Sequence, residues 1–270
     1  MLATAFKISL RTLWREKRYA AINIAGLSLA LACVIVLGLY LRHELSYDRH
    51  FEGYENIYRL ENSLGRGEIV STTALTSSVA GVLLAQDNPE IEEVVRVQKF
   101  GQVIVRHENG QNFAWDQIVV TPNMFRVFKH HILYGDPAAF EELRGVAVSE
   151  SFARFYFGDA NPLGETLSTD IGIPYPIALV FADLPDNTHF KYKLLYPNNL
   201  NISSDVARQR ETLFVPSAYT YVKMRPGYDP GDWAEVSQAF YDKHMKERFG
   251  PRGLRWRSWL QPLADVHLYS

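Results

Sequence analysis

The sequence predicts an α+β domain outside a membrane, tethered to it by a spanning helix near the N-terminus. Three observations carry this. The 23 residues from Tyr19 to Leu41 hold no charge. Beyond them, short apolar alternations of strand period are interleaved with short stripes of helical period. Asn109-Gly110 marks a tight hairpin turn between two of the alternating runs.

The uncharged run 19–41 is the membrane element. At about 1.5 Å per residue it makes roughly 35 Å of helix, enough to cross a hydrocarbon layer of about 30 Å with some tilt. It is too long for a cleaved secretory signal and ends in bulky Leu39, Tyr40 and Leu41. Ala30-Leu31-Ala32-Cys33 is faintly similar to a lipoprotein processing site, but apolar residues continue past the cysteine where a polar chain should begin. A retained helix is therefore expected, with Cys33, the single cysteine, as a small side chain in lipid.

Orientation follows from the flanks. Lys7, Arg11, Arg15, Lys17 and Arg18 precede the run against one acid, Glu16, whereas Arg42, His43 and Glu44 follow it nearly balanced. Basic flanks stay inside, so the N-terminus is expected on the cytoplasmic side and 42–270 outside. Residues 1–18 read as an amphipathic helix along the inner surface. Phe6, Leu10, Leu13 and Trp14 form one stripe and Lys7, Arg11, Arg15 and Arg18 the other. Lys7, Arg11, Trp14, Arg15 and Tyr19 are the expected membrane-interface residues, and lipid the expected partner. Within the span, Gly26 and Ala30 stand four apart, a spacing that lets a second helix approach closely.

Of 28 basic and 30 acidic residues, those outside the membrane leave a surplus of six acids, so nucleic acid is an unsuitable partner. A single cysteine excludes an internal disulfide, and an outer part of this size can be held by its core.

Outside the span the elements follow in order. Ser46 or Asp48 is expected to start a short helix through about Phe51, which Gly53 stops, and Ile57 to Glu61 to be a strand. A turn is expected at Gly65-Arg66-Gly67, and Leu75, Val79, Val82 and Leu83 suggest a helix ended by Asp87-Asn88-Pro89. Val95–Phe100, Val103–His107, Phe113–Trp115 and Ile118–Val120 read as strands, and Thr121-Pro122 opens a short helix. A second block starts near Gly145: strand Val146–Ser149, then a helix Glu150–Phe157 capped by Ser149, then strand Ile177–Ala182. Residues 197–214 are polar and expected to be mobile. Strand Tyr219–Met224, a helix from Trp233 to Phe249 and strands Trp256–Leu260 and Val266–Leu268 complete the pattern.

Chemistry is not evident. No glycine-rich phosphate loop is followed by Lys and Ser or Thr. His130 and His131 are adjacent and point apart; His189 in a turn and His244 on a helix read as structural. Ser149 and Ser151 sit in no nucleophile elbow. No catalytic, cofactor-binding or metal-ligating set is expected.

Several stretches together resemble the permease subunits of MacB/FtsX-type ABC transporters, and within them the MacB-like extracytoplasmic core domain. FKISLRTLWREKRYAAINIAGLSLALA is similar to the start of that family, HELSYDRHFEGYENIYRL to the exit from its first spanning helix, and VAVSESFARFYFGDANPLGETL to its Ser-Glu, Phe-Gly, Asn-Pro-x-Gly block. FADLPDNTHFKYKLL resembles its Pro-Asp-Asn-x-His turn, and WLQPLADVHLYS the approach to a second spanning helix. The resemblance implies a periplasmic domain in two lobes, about 44–142 with 215–270 and about 143–214. It implies a non-catalytic transport component whose partner ABC ATPase subunit hydrolyses ATP, with efflux or lipoprotein release as the outcome. Further permease helices or a second permease copy in a dimer, and a periplasmic adaptor or outer-membrane protein, are the partners it implies. Family members carry four or eight spanning helices and this sequence one, so it reads either as a truncated or split permease or as the N-terminal portion of a longer one. The alternatives are a single-pass sensor or adaptor with a ligand- or protein-binding outer domain, and a membrane-anchored hydrolase, for which no nucleophile and base can be paired.

Overall fold

A computed structural model describes residues 11, 14–107, 110–167, 169, 174–198, 213 and 215–269. The chain divides into two compact units, 1–46 and 47–270.

The first unit is dominated by helix α1 (Lys17–Glu44), whose side chains are almost all exposed. The helix is long and apolar enough to cross a membrane, and none of its residues is buried.

The second unit is built on one sheet. Its strands are β1 (Ile57–Arg66), β2 (Ile69–Thr73), β3 (Leu75–Ser77), β4 (Ile91–Arg106), β5 (Asn112–Val120), β6 (Ile132–Gly135), β7 (Val146–Ser149), β8 (Thr166–Leu167), β9 (Tyr175–Phe181), β10 (Leu194–Pro197), β11 (Pro216–Met224) and β12 (Arg255–Pro262). The order is β12-β1-β11-β4-β5-β10-β7-β9-β6, with β2 on β1, β3 on β11 and β8 on β9. Pairing is antiparallel except for β10 with β5 and β7 with β9. The helices are α2 (Ala80–Asp87), α3 (Met124–Val127), α4 (Pro137–Glu141), α5 (Glu150–Phe157), α6 (Trp233–His244), α7 (Lys246–Phe249) and α8 (Val266–Tyr269).

Strand alternation assigns each side chain to a face. Ile57, Val95, Val97, Ile118, Val120, Ala147, Leu179, Phe181, Leu195 and Tyr221 all belong to one continuous cluster with Phe51, Phe128, Phe140 and Phe190. Their neighbours along the strands divide between two clusters on the other face. Tyr58, Leu60 and Val222 pack with Leu84, Trp233 and Phe240 of α2 and α6, while Val146, Val148, Val180 and Leu194 pack with Phe152 of α5. One face of the sheet thus carries a common core and the opposite face two separate ones.

Several expectations need correction. No helix forms over 48–51: Asp48 has φ +59, outside the right-handed helical region, and the stretch is a series of turns. Leu75 lies in β3 and only Ala80–Asp87 is helical, because Thr76 is bonded across to Thr220 and Ala218 of β11. The strands expected on either side of Gly101 are one strand, β4, with a register shift between Lys99 and Gln102. Gly65 stays in β1 and the turn falls at Gly67. The helix expected through Phe249 breaks at Met245, whose φ of −123° leaves the helical range. Val266–Leu268 is helical, not a strand: a 3-10 turn over Leu263–Asp265 leads into α8 and buries Val266 against the common core. Strand β6 pairs with β9, where Gly135 at φ +87 lets the backbones close up. The expected polar segment 197–214 lies, apart from residues 197, 198 and 213, outside the described residues.

Candidate functional site

Two of the stretches that carry the family resemblance meet at one place. Asp48, from the first, is fully buried and sits in the left-handed region that Asp tolerates better than most residues. Its amide donates to the Asn187 carbonyl at 3.0 Å. Its carboxylate accepts from the Thr188 hydroxyl at 2.7 Å, the His189 amide at 3.1 Å and His189 Nδ1 at 2.8 Å. Burial alone would raise the Asp48 pKa; the His189 ring and amide and the Thr188 hydroxyl outweigh it and hold the carboxyl below its usual range.

The bonding continues into the sheet. An ionised carboxylate only accepts, so His189 Nδ1 carries the proton facing Asp48, and Nε2 lies 2.7 Å from the Tyr221 hydroxyl, within hydrogen-bond distance. Burial pushes the Tyr221 pKa up, keeping that hydroxyl protonated, and the positive charge of Arg59 opposes the rise. Arg59 also donates to Gln261 at 2.7 Å and to Glu61 at 2.5 Å. Gln261, Arg59 and Tyr221 are directly opposed on β12, β1 and β11, so one row of side chains crosses three strands. Beside it is a cleft of about 400 Å³ lined by Tyr47, Lys191, Tyr219 and His267, among others. Tyr47 and His267 stack face to face, ring centres 3.4 Å apart.

Packing fixes this site from below. Phe51, three residues after Asp48, meets Phe128 and Phe190 edge-on at 5.2 and 6.0 Å, and Phe128 meets Tyr221 at 5.2 Å. His130 is buried beside them. Its Nδ1 donates to the Phe128 carbonyl at 2.6 Å, Nε2 accepts from the Tyr192 hydroxyl at 2.7 Å, and desolvation lowers its pKa to about 4.

The residues expected at the membrane are elsewhere, in the first unit. Lys7 lies outside the described residues. Arg11, Trp14, Arg15 and Tyr19 are exposed, and the Lys17 ammonium stands 5.4 Å from the Trp14 ring centre. Gly26 and Ala30 lie about one turn apart on α1, both exposed, with open space around Gly26. Sequence reasoning missed Asp48, read as a helix cap, and took His189 and Tyr221 for ordinary turn and core residues. The signal available was that Asp48 and His189 both stand inside family-like stretches.

Comparison with known proteins fits these observations. No curated protein matches the chain. A domain of a permease protein from Porphyromonas gingivalis, solved as a crystal structure, has 21% identity and a TM-score of 0.67 over 80% of this chain and 92% of its own. That likeness is one of fold. The periplasmic region of MacB from Actinobacillus actinomycetemcomitans has 16% identity and a TM-score of 0.48, covering 78% of this chain and 90% of its own. The extracellular domain of the ABC-type transporter YknZ from Gram-positive bacteria has 15% identity and a TM-score of 0.48, covering 75% and 99%. Residues 20–239, most of the sequence, match the MacB-like periplasmic core domain, and the chain belongs to that family.

Proposed function

We propose that the chain is the N-terminal portion of a non-catalytic permease subunit of a MacB/FtsX-type ABC transporter. In this reading α1 spans the inner membrane with its basic flank in the cytoplasm, and 42–270 is periplasmic. A separate ATPase subunit hydrolyses ATP at the inner face, and the periplasmic domain moves to drive or gate efflux or lipoprotein release. The carrying observation is the family match, which starts inside the spanning helix and runs through most of the sheet domain.

The physical parts suit such work. Mechanical coupling needs stiff bodies and packed interfaces rather than reacting side chains, and the domain offers a sheet with one uninterrupted core on its shared face. Arg11, Trp14, Arg15 and Tyr19, with Lys7, would hold the inner flank at the headgroups. Gly26 and Ala30 would seat a neighbouring helix of a further permease segment or a second copy. A periplasmic adaptor or outer-membrane protein would meet the outer domain.

Purification in mild detergent of the full-length chain from its own host tests the reading. An ATP-hydrolysing subunit is expected to co-elute in stoichiometric amount. Recovery of intact, folded protein with no such subunit would count decisively against it.

A further inference from the structure

Among the described side chains, the lysines of the sheet domain are answered by acids with one exception. Lys129, Lys193, Lys223, Lys243 and Lys246 each pair with a carboxylate. Lys191, in the connection between β9 and β10, donates to the Asp186 carbonyl at 2.8 Å and meets no carboxylate among the described residues. It lines the cleft of about 400 Å³ beside the Arg59 row, and among the described residues no aspartate or glutamate lines that cleft. Arg59, the other permanent cation there, is already paired with Glu61 at 2.5 Å. The Lys191 ammonium is therefore the unbalanced charge, and a cation in a concave site attracts an anion.

Much of the remaining lining is aromatic. The stacked rings of Tyr47 and His267 form one part of it. Tyr219 forms another, with the Arg59 guanidinium 6.0 Å from its ring centre. Tyr47 and Tyr219 are half-buried and Lys191 and His267 exposed, so rings and ammonium are both open to a molecule arriving from solvent. Clefts of about 300–1,000 Å³ that combine rings with a few polar groups suit small ligands. A single unanswered ammonium matches the one charge of a carboxylate, whereas a phosphate dianion would keep an unbalanced negative charge.

We propose that this cleft is a binding site for a small aromatic carboxylate, with the oxyanion paired to Lys191 and the ring packed among Tyr47, Tyr219 and His267. All four residues belong to the sheet domain, and the site is independent of the permease reading.

The test titrates benzoate into the purified full chain in detergent at neutral pH, reading saturation-transfer difference NMR of the ligand with empty micelles subtracted. Saturable binding is expected, with benzyl alcohol, which has the ring without the charge, and phenyl phosphate, a dianion, both weaker. Lys191→Gln is expected to raise the benzoate dissociation constant about tenfold, as loss of a charge-assisted hydrogen bond should. Lys191→Arg, which keeps the charge, is expected to restore most of the affinity. Tyr219→Leu, which removes a ring and leaves the ammonium, is expected to weaken benzoate while leaving acetate unchanged. Absence of saturable benzoate binding to the parent chain overturns the proposal, as does a dissociation constant that Lys191→Gln leaves unaltered. Should circular dichroism show Lys191→Gln to be misfolded, the parent chain decides: benzyl alcohol binding as tightly as benzoate overturns the site, and a clear preference for benzoate supports it.

Discussion

Single residues matter here chiefly through burial. His130 is held neutral among aromatic rings, its pKa lowered to about 4 from an ordinary 6.5. Between those values the unfolded chain binds a proton that the folded chain refuses, so this contribution is complete above pH 6.5 and drains away as pH falls toward 4. The loss is on the order of a few kcal/mol. The Asp48 carboxyl, depressed from 3.8, acts lower: its contribution is present above that value and disappears as pH drops through its folded pKa. Thermal melting of the full chain in detergent is therefore expected to show Tm falling from pH 7 to pH 5. His130→Phe, which removes the titrating ring but keeps its bulk, is expected to flatten that fall. An equally steep fall in the variant would show that the acid sensitivity arises elsewhere.

At the level of elements, close backbone contact sets the tolerances. Strands β7 and β9 pair in parallel from Val146 and Ile177 onward, and Gly145 immediately before them lies against β9. A Cβ at Gly145 would stand 2.3 Å from the Pro176 carbonyl oxygen and 3.0 Å from the Ala178 side chain. Gly145→Ala must push two backbones apart, and a cost of about 1–3 kcal/mol is expected, measured as a shift of the urea midpoint at constant slope. Elements with their own local signal were legible in the sequence. Val146–Ser149, the Ser149-capped α5, the β4–β5 hairpin and the long helix α1 were all readable from period, cap or turn chemistry. Where distant partners decide, the sequence was silent. Asp48 looked like a cap, yet its partners lie about 140 residues along the chain. Val266–Leu268 is apolar enough for either conformation, and its packing at the core, not its period, selects helix. The assembly of His189, Tyr221 and Arg59 was unreadable for the same reason, since hydrogen bonds across strands leave no periodic trace.

For the molecule as a whole, the two faces of the sheet have different consequences. The cores under α2 and α6 and under α5 are separate, but every strand from β1 to β9 contributes to the common face or pairs with one that does. The domain should therefore unfold in one step despite its two helical coverings. Phe181, fully buried on β9, sits on that face against Phe125, His130 and Tyr192. Phe181→Ala is expected to cost about 3–5 kcal/mol and to lower protection against hydrogen exchange in α6 as much as in α5. Loss confined to α5 would mean that the shared core does not couple the two ends.

The stacked rings of Tyr47 and His267 bring the beginning and the close of this folded body within touching distance. A short peptide bridge between the two stacked positions should therefore suffice to join them into a ring without disturbing the fold between them.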